Sequence, residues 1–220
     1  MTDQPARERP AVARTNLLHG KQMLIFDFDG TLADTSPLHE AAFNSVLAPW
    51  GISADYPAIA GLRTRDALAA CFTKAGVAIS TAAIQDLTVS KQSKVRASLK
   101  HELRPLPGVD EFLRMARQRF RLALYSSGSR DTVLVALEQL GYVGWFAPML
   151  CADDVMNTKP HPEGFIKVLA IAGINATDAL VFEDSDAGIE AARRAGLETV
   201  DVRMTRFGDL IAASGQRMSD

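Results

Sequence analysis

Short apolar segments and longer amphipathic segments alternate along most of this chain. The five short apolar segments are rich in Leu, Ile, Val or Phe: Met23–Phe28, Arg121–Ser126, Pro148–Ala152, Ala179–Glu183 and Glu198–Val202. They are continuously apolar rather than alternating with polar positions. This pattern is typical of buried strands in a parallel sheet that helices cover on both faces.

Segments with helical spacing separate the last four predicted strands. Three of them stop directly before a glycine, at Gly141, Gly173 and Gly196, and a glycine at that position supplies the left-handed cap of a helix. A further helix is predicted over Pro107–Gln118. Strands that alternate with helices over short connections predict an α/β fold, with a doubly wound, Rossmann-like parallel sheet.

The long segment between the first two strands has a different character. It contains no convincing strand, but helix starts are predicted at Ser36-Pro37, Thr64 and Thr81, each a capping residue followed by helical spacing. The apolar positions within these helices are interpreted as the core of a small helical bundle. This segment is therefore predicted to be an inserted α-helical cap.

The cap is predicted to occupy residues 37–104, and the α/β core residues 20–36 and 105–220. The return connection contains Pro105 and Pro107, whose rings restrict the backbone and favour a hinge. Residues 1–19 lack apolar periodicity and are predicted to form a flexible tail without a secretory signal.

Composition excludes several classes of protein. The chain has 220 residues, of which 47% are hydrophobic and 23% charged, with a formal net charge of −2. These values are ordinary for a soluble globular protein, and they give no global basic field for nucleic acid or a membrane surface. No apolar stretch approaches the ~18 residues that span a bilayer. Cys71 and Cys151 offer no disulfide framework. We expect a cytoplasmic monomer or weak dimer, without nucleic-acid or membrane partners.

Polar side chains cluster where the predicted strands end. Four strand ends carry them: Asp27-Phe28-Asp29-Gly30-Thr31, Ser126-Ser127, Asp153-Asp154 followed by Lys159, and Glu183-Asp184. Open α/β sheets bind ligands outside the carboxyl ends of their strands. Each group alone is explained by ordinary turn chemistry, but the four together predict a shared polar site.

The residue types at this predicted site suit phosphoryl transfer. Carboxylate oxygens are ligands for Mg²⁺, and a lysine with a hydroxyl neutralises a phosphoryl group. A carboxylate can also attack phosphorus and form an aspartyl-phosphate. A second carboxylate two residues further on points the same way if the backbone is strand-like, and it can exchange protons with the leaving oxygen and with water.

These motifs, in this order, resemble those of the haloacid dehalogenase superfamily. The resemblance implies that Asp27 is the nucleophile and Asp29 the acid/base. It implies phosphate binding by Thr31, Ser126, Ser127 and Lys159, and Mg²⁺ binding by Asp27, Asp29, Glu183 and Asp184.

The cap resembles that of the β-phosphoglucomutase-like subgroup. Within this subgroup the segment Phe182–Val202 is most similar to sugar-phosphate phosphatases. Asp29 argues against dehalogenases and phosphonatases, which lack an aspartate at this position. His39, Arg63 and Arg65 are the cap residues expected to meet the substrate.

The leading expectation is a Mg²⁺-dependent phosphatase that acts on a small phosphorylated metabolite such as a sugar phosphate. A phosphosugar mutase of the β-phosphoglucomutase type is the alternative enzyme, with the same nucleophile but a sugar hydroxyl as acceptor. A catalytically silent binding protein is the third hypothesis, because a fold alone does not prove activity.

Overall fold

The computed structural model of this chain describes residues 17–215. The predicted N-terminal tail lies outside the described residues over positions 1–16, and residues 17–20 form a turn. Within the described part, no helix combines the length and the apolar character needed to cross a membrane.

Five parallel strands form the central sheet. They are β1 (Met23–Phe26), β2 (Arg121–Tyr125), β3 (Met149–Leu150), β4 (Ala179–Glu183) and β5 (Glu198–Asp201), in the order β3-β2-β1-β4-β5. Four of the strands, all except β4, stop one or two residues before their predicted ends. This sheet and the helices around it confirm the predicted α/β fold class.

Nine α-helices accompany the sheet in the described residues. They are α1 (Ser36–Leu47), α2 (Tyr56–Ile59), α3 (Thr64–Ala75), α4 (Thr81–Glu102), α5 (Val109–Ala116), α6 (Arg130–Leu140), α7 (Glu163–Ala172), α8 (Asp186–Arg194) and α9 (Phe207–Gly215). Short 3₁₀ helices cover Ala48–Trp50, Ala152–Asp154 and Ala176–Asp178. The helix starts predicted at Ser36, Thr64 and Thr81 coincide with the starts of α1, α3 and α4.

The sheet has an apolar cluster on each face. Alternate side chains of one strand point to opposite faces, so Leu24 and Phe26 of β1 join one cluster with Phe112 of α5. Met23 and Ile25 join the other, together with Phe165 of α7. Burial on both faces explains why the strands read as continuously apolar.

Helices α1–α4 form the insertion between β1 and β2. They have an apolar cluster of their own, which includes Phe43, Leu68 and Ile84. Val95 and Leu99, in the second half of α4, pack instead into the main cluster of the core. The interpretation of all these positions as one separate bundle was therefore wrong for this part of α4, because this 22-residue helix reaches past the bundle to the core. It was also wrong for Leu38 and Ala42 of α1, which pack into the same main cluster.

The two connections between the core and the cap run side by side. Ala33 forms an antiparallel bridge with Pro105, and the backbone N–H of Leu106 donates to the carbonyl of Leu32 over 3.0 Å. The cap therefore joins the core through one paired strip of backbone. The boundaries at 37 and 104 stay a prediction.

Candidate active site

The carboxyl ends of the central strands bring three carboxylates together. Asp27 directly follows β1, Glu183 ends β4, and Asp184 comes next. One oxygen from each of these side chains lies within 4.8 Å of the other two. Since β1 and β4 are hydrogen-bonded neighbours in register, the sheet itself fixes this cluster.

Lys159 supplies the ammonium group at this cluster. Its Nζ donates to Oδ1 of Asp27 over 2.5 Å and to Oε2 of Glu183 over 2.8 Å. The side chain is fully buried, and Nζ lies 5.0 Å from the ring centroid of Tyr125. Burial alone would lower the pKa of Lys159, but the two carboxylates outweigh it and hold the pKa above its ordinary value. Lys159 is therefore a permanent cation.

One ammonium does not balance three carboxylates. Burial and the neighbouring Glu183 raise the pKa of Asp184 to about 7, and the same two causes raise the pKa of Asp27. A divalent cation would reverse both shifts, because it adds positive charge where the carboxylates repel one another. The donor set of Asp27, Glu183 and Asp184 therefore fits Mg²⁺ in charge and in oxygen chemistry.

The loop after β1 depends on Gly30. This residue has a φ of 80°, in the left-handed region that favours glycine. A Cβ built on Gly30 would also overlap the carboxylate of Asp184. Any other residue here would displace a carboxylate of the cluster.

Asp29, the fourth predicted metal ligand, lies outside the three-carboxylate cluster. The hydroxyl of Thr35 donates to its Oδ1 over 2.7 Å, and Nε2 of His39 lies 3.2 Å from the same oxygen. Behind the imidazole, Nζ of Lys91 is 2.9 Å from Nδ1 of His39. Burial would raise the pKa of Asp29, but His39, Thr35 and Lys91 outweigh it and hold this pKa well below its usual range.

Lys91 is a site residue that the sequence analysis missed. It is 2% exposed, and burial lowers its pKa to about 8 against the attraction of Asp29. Its position was visible in the pattern, because it follows Ile84 by seven residues and precedes Val95 by four. A lysine within the apolar stripe of a helix is unusual. Tyr56, which also lines the site, gave no such signal.

The predicted phosphate-binding hydroxyls are distributed around the same site. Thr31 donates to Oδ1 of Asp184 over 3.2 Å. Ser126 accepts from the backbone N–H of Gly128 over 2.9 Å, and its Oγ is 3.5 Å from Oδ2 of Asp29. The hydroxyl of Ser127 is buried and makes no hydrogen bond within the described residues.

The cap covers this site and leaves a small cavity of about 40 Å³. The core contributes acidic and hydroxyl groups to its wall, and the cap contributes His39, Tyr56 and Lys91. A cavity of this volume has room for about three water molecules.

Of the cap residues expected to meet substrate, only His39 lines this cavity. Nη2 of Arg63 donates to the carbonyls of Ala152 and Val155, each over 2.9 Å, so this arginine fastens the cap to a loop of the core. Arg65 is exposed at the surface of the cap, with Nε 3.6 Å from a carboxylate oxygen of Asp66.

The start of α8 is linked to the carboxylate cluster. Ser185 caps this helix, since its hydroxyl accepts from the backbone N–H of Gly188 over 3.0 Å, and the same hydroxyl donates to Glu183. Asp186 is exposed and pairs with Arg203 over 2.9 Å.

Comparison with known proteins agrees with this geometry. Residues 24–202 match the sequence profile of a family described as haloacid dehalogenase-like hydrolase. The chain belongs to this family. The match spans the sheet, the cap and all four motifs, so the predicted family membership is confirmed.

Two curated relatives are phosphatases by name. The chain is 35% identical over 184 residues to the fructose-1-phosphate phosphatase YqaB of Escherichia coli, covering 82% of this chain and 96% of that protein. It is 32% identical over 183 residues to the phosphorylated carbohydrates phosphatase of Thermotoga maritima, covering 81% and 83%. Among solved structures, a putative β-phosphoglucomutase from Thermotoga maritima matches with a TM-score of 0.60 and 28% identity, covering 87% and 91%.

Proposed function

We propose that this protein is a Mg²⁺-dependent phosphatase that hydrolyses a small sugar-phosphate-type metabolite through an aspartyl-phosphate. The observation that carries the proposal is the contact of Lys159 with Asp27 inside a cluster of three carboxylates. In this proposal Asp27 is the nucleophile, Lys159 in direct contact with it is the phosphate-binding cation, and the three carboxylates are the metal site. The named relatives act on phosphorylated carbohydrates, which supports the substrate class.

In the first step, a carboxylate oxygen of Asp27 attacks phosphorus and forms a P–O bond, while the ester P–O bond breaks. The leaving oxygen takes a proton from Asp29 and departs as an alcohol. Because His39 and Lys91 hold Asp29 ionised in the ligand-free site, Asp29 must acquire its proton as the negative phosphate enters. Lys159 neutralises charge on the phosphoryl oxygens.

In the second step, Asp29 takes a proton from water, and the water oxygen attacks the phosphorus of the aspartyl-phosphate. The bond between phosphorus and Asp27 breaks, which releases inorganic phosphate and restores the carboxylate. The ionised state of Asp29 suits this task, because a general base must be free of its proton.

The proposed metal ligands are Asp27, Glu183 and Asp184, with Asp29 as a further candidate. Bound Mg²⁺ supplies Lewis-acid stabilisation of the phosphoryl oxygens. Glu183 has a second task, since it accepts from Lys159 and from Ser185 and so positions both. We propose that Thr31, Ser126 and Ser127 contact the phosphate together with Lys159, and that His39 contacts the substrate from the cap.

A screen of phosphorylated metabolites for phosphate release, with and without Mg²⁺, tests this function. We expect Mg²⁺-dependent release from sugar monophosphates and from p-nitrophenyl phosphate. Absence of release from every substrate, by a folded protein with Mg²⁺ present, would contradict the proposal and favour a silent binding protein.

The mutase alternative has support from the likeness to a putative β-phosphoglucomutase. Such an enzyme must hold the second phosphate of a bisphosphate intermediate, and Arg63 and Arg65 line a cavity of about 320 Å³ that adjoins the catalytic one. We favour the phosphatase because the named curated relatives are phosphatases. Conversion of β-glucose 1-phosphate into glucose 6-phosphate in the presence of a bisphosphate primer, without free phosphate, would reverse this choice. We further propose a cytoplasmic monomer or weak dimer as the working form.

A further inference from the structure

Aromatic rings, as well as carboxylates, surround the ammonium group of Lys159. Its Nζ lies 5.0 Å from the ring centroid of Tyr125 and 5.7 Å from that of Phe165. Both distances are within the roughly 6 Å over which the face of an aromatic ring attracts a cation. The two rings meet edge to face, with their centroids 5.0 Å apart. Lys159 therefore lies beside a pair of rings that pack against each other.

Tyr125 is the last residue of β2, and its side chain is fully buried. It belongs to the apolar cluster that also contains Phe165. The attraction between a cation and a ring is strongest where water is excluded. The buried position of both Tyr125 and Lys159 therefore favours a strong contact.

Gly164 makes room for the ring of Tyr125. A Cβ built on this glycine would overlap three atoms of the ring. Gly164 is the second residue of α7, and its φ is not in the left-handed region, so the backbone here does not require glycine. Alanine would be the better helix residue. The missing side chain therefore serves the tyrosine ring and not the helix.

The proposed reaction changes one of the two carboxylates that hold Lys159. Asp27 loses its negative charge when it becomes an aspartyl-phosphate, which weakens its hold on the ammonium group. Glu183, which accepts from Nζ over 2.8 Å, and the two rings keep their chemical state throughout. A lysine side chain has several rotatable bonds and loses conformational freedom when it is ordered. The unchanged groups are thus suited to keep Lys159 in place.

We propose that Tyr125 is a positioning residue for Lys159, and that its ring, in the space left by Gly164, holds the ammonium group beside Asp27 and the phosphoryl group during turnover. The catalytic part of this inference rests on the proposed phosphatase function. The contact between the ring and the ammonium group does not, and a measurement of stability tests it separately.

Two variants of Tyr125 separate the ring from the hydroxyl group. Tyr125→Leu removes the ring, and we expect kcat/KM for p-nitrophenyl phosphate to fall about tenfold, the order of one buried cation–π contact. Tyr125→Phe keeps the ring and should stay within about twofold of wild type. An equal loss in the two variants would assign the effect to the hydroxyl group and contradict the inference.

Phe112→Leu is the matched control, because it also removes a fully buried ring but belongs to the cluster on the other face of the sheet. We expect this variant to be less stable than wild type and to keep its kcat/KM. In calorimetry with Mg²⁺ present, inorganic phosphate should bind about tenfold more weakly to Tyr125→Leu. Its binding to Phe112→Leu and to Tyr125→Phe should be unchanged.

Gly164→Ala tests the inference by displacing the ring rather than removing it. The variant should lose both stability and activity, although alanine favours a helix. In the Tyr125→Leu background the same change should cost no further activity, because leucine does not reach the ring atoms that the new Cβ would overlap. Equal losses of activity in the two backgrounds would contradict the pairing of Gly164 with the ring.

Urea unfolding separates this inference from the proposed function. Tyr125→Leu should raise the unfolding constant about tenfold more in wild type than in Lys159→Met, because only the wild type loses an attraction to the ammonium group. Phe112→Leu should have the same effect in both backgrounds. If wild-type protein releases no phosphate but this coupling remains, the phosphatase function fails and the contact stands.

Three further results would overturn the inference. The first is a folded Tyr125→Leu protein with the kcat/KM of wild type. The second is an equal loss of kcat/KM in Tyr125→Leu and Phe112→Leu, since a general loss of packing would then explain both. The third is an equal effect of Tyr125→Leu on the unfolding constant with and without Lys159.

Discussion

Two carboxylates that are only two residues apart have opposite electrostatic surroundings. Asp27 belongs to a buried cluster of three carboxylates with one ammonium, and its pKa is raised. Asp29 faces His39 of α1 and Lys91 of α4, and its pKa is lowered. Core strands and loops build the first environment, whereas helices of the cap complete the second. The surroundings of Asp27, the proposed nucleophile, therefore come from the core, whereas those of Asp29, the proposed acid/base, depend on the position of the cap.

The largest expected effect on activity follows from neutralising Asp27. Asp27→Asn should reduce phosphate release at least about a thousandfold, because an amide cannot form the covalent intermediate. The fold should survive, since the change removes charge from a crowded acidic cluster. Phosphate release and far-UV circular dichroism measure the two effects.

The exposed Asp34 provides the matched control, and Asp34→Asn should keep full activity. If Asp27→Asn turned over at the wild-type rate, the assignment of the nucleophile would be wrong.

Removing the ammonium group of Lys159 also tests the charges around Asp27. Lys159→Met should lower kcat/KM about a hundredfold or more and destabilise the fold by about 3 kcal/mol, because it leaves Asp27 and Glu183 buried without a cation. Steady-state kinetics and urea unfolding measure these losses.

The double variant Lys159→Met/Glu183→Gln should recover part of the free energy of unfolding but none of the activity. Equal stability of the single and double variants would argue against charge repulsion as the cause.

Mg²⁺ should stabilise the protein through the core carboxylates. A free Mg²⁺ concentration a hundred times the dissociation constant adds about 2.7 kcal/mol to the free energy of unfolding. Removal of Mg²⁺ by a chelator should abolish turnover reversibly. Asp184→Asn should lose most of this stabilisation in thermal melts.

Asp186→Asn, at an exposed neighbouring aspartate, is the control and should retain it. An undiminished response to Mg²⁺ in Asp184→Asn would place the ion elsewhere.

The last prediction concerns Lys91, on the cap side of Asp29. The folded-state pKa of Lys91 is about 8, below its ordinary value of 10.5. Burial of this charge therefore costs up to about 3 kcal/mol below pH 8, and the cost declines as pH rises towards 10.5. Lys91→Met should accordingly stabilise the fold at pH 7, with a gain that disappears near pH 10.5.

Urea unfolding of both proteins from pH 7 to 10.5 measures this gain. Lys94→Met, at an exposed position of the same helix, should show no such pH dependence. A stabilisation that is constant with pH would mean that apolar packing, and not the charge, is responsible.

The sequence was informative where a local rule applies to successive residues. The starts of α1, α3 and α4 were predicted, although the N-cap of each helix lies one residue earlier than expected, at Thr35, Arg63 and Ser80. The parallel sheet followed from continuously apolar strands. Convergence of Asp27, Glu183 and Asp184 was predictable because parallel strands end at the same edge of a sheet. Contacts between elements far apart in the chain were harder to predict from the sequence. Nothing local to Arg63 indicates that it binds backbone carbonyls of the core. The apolar stripe around Lys91 indicates that this lysine is buried, but not that it faces His39 and Asp29.

The amino-acid sequence by itself determined the order of the strands and helices along the chain, the family and the residue types available for catalysis. These depend on backbone preferences and on periodic burial, which act over a few neighbouring residues. The tertiary structure decided which carboxylate shares Lys159 and which one faces the cap. It also decided that one cap arginine fastens the cap to the core and that a polar cavity adjoins the catalytic one. Those outcomes depend on distances between elements far apart in the chain, and the pKa shifts depend on which groups the fold buries and which charges it places beside them.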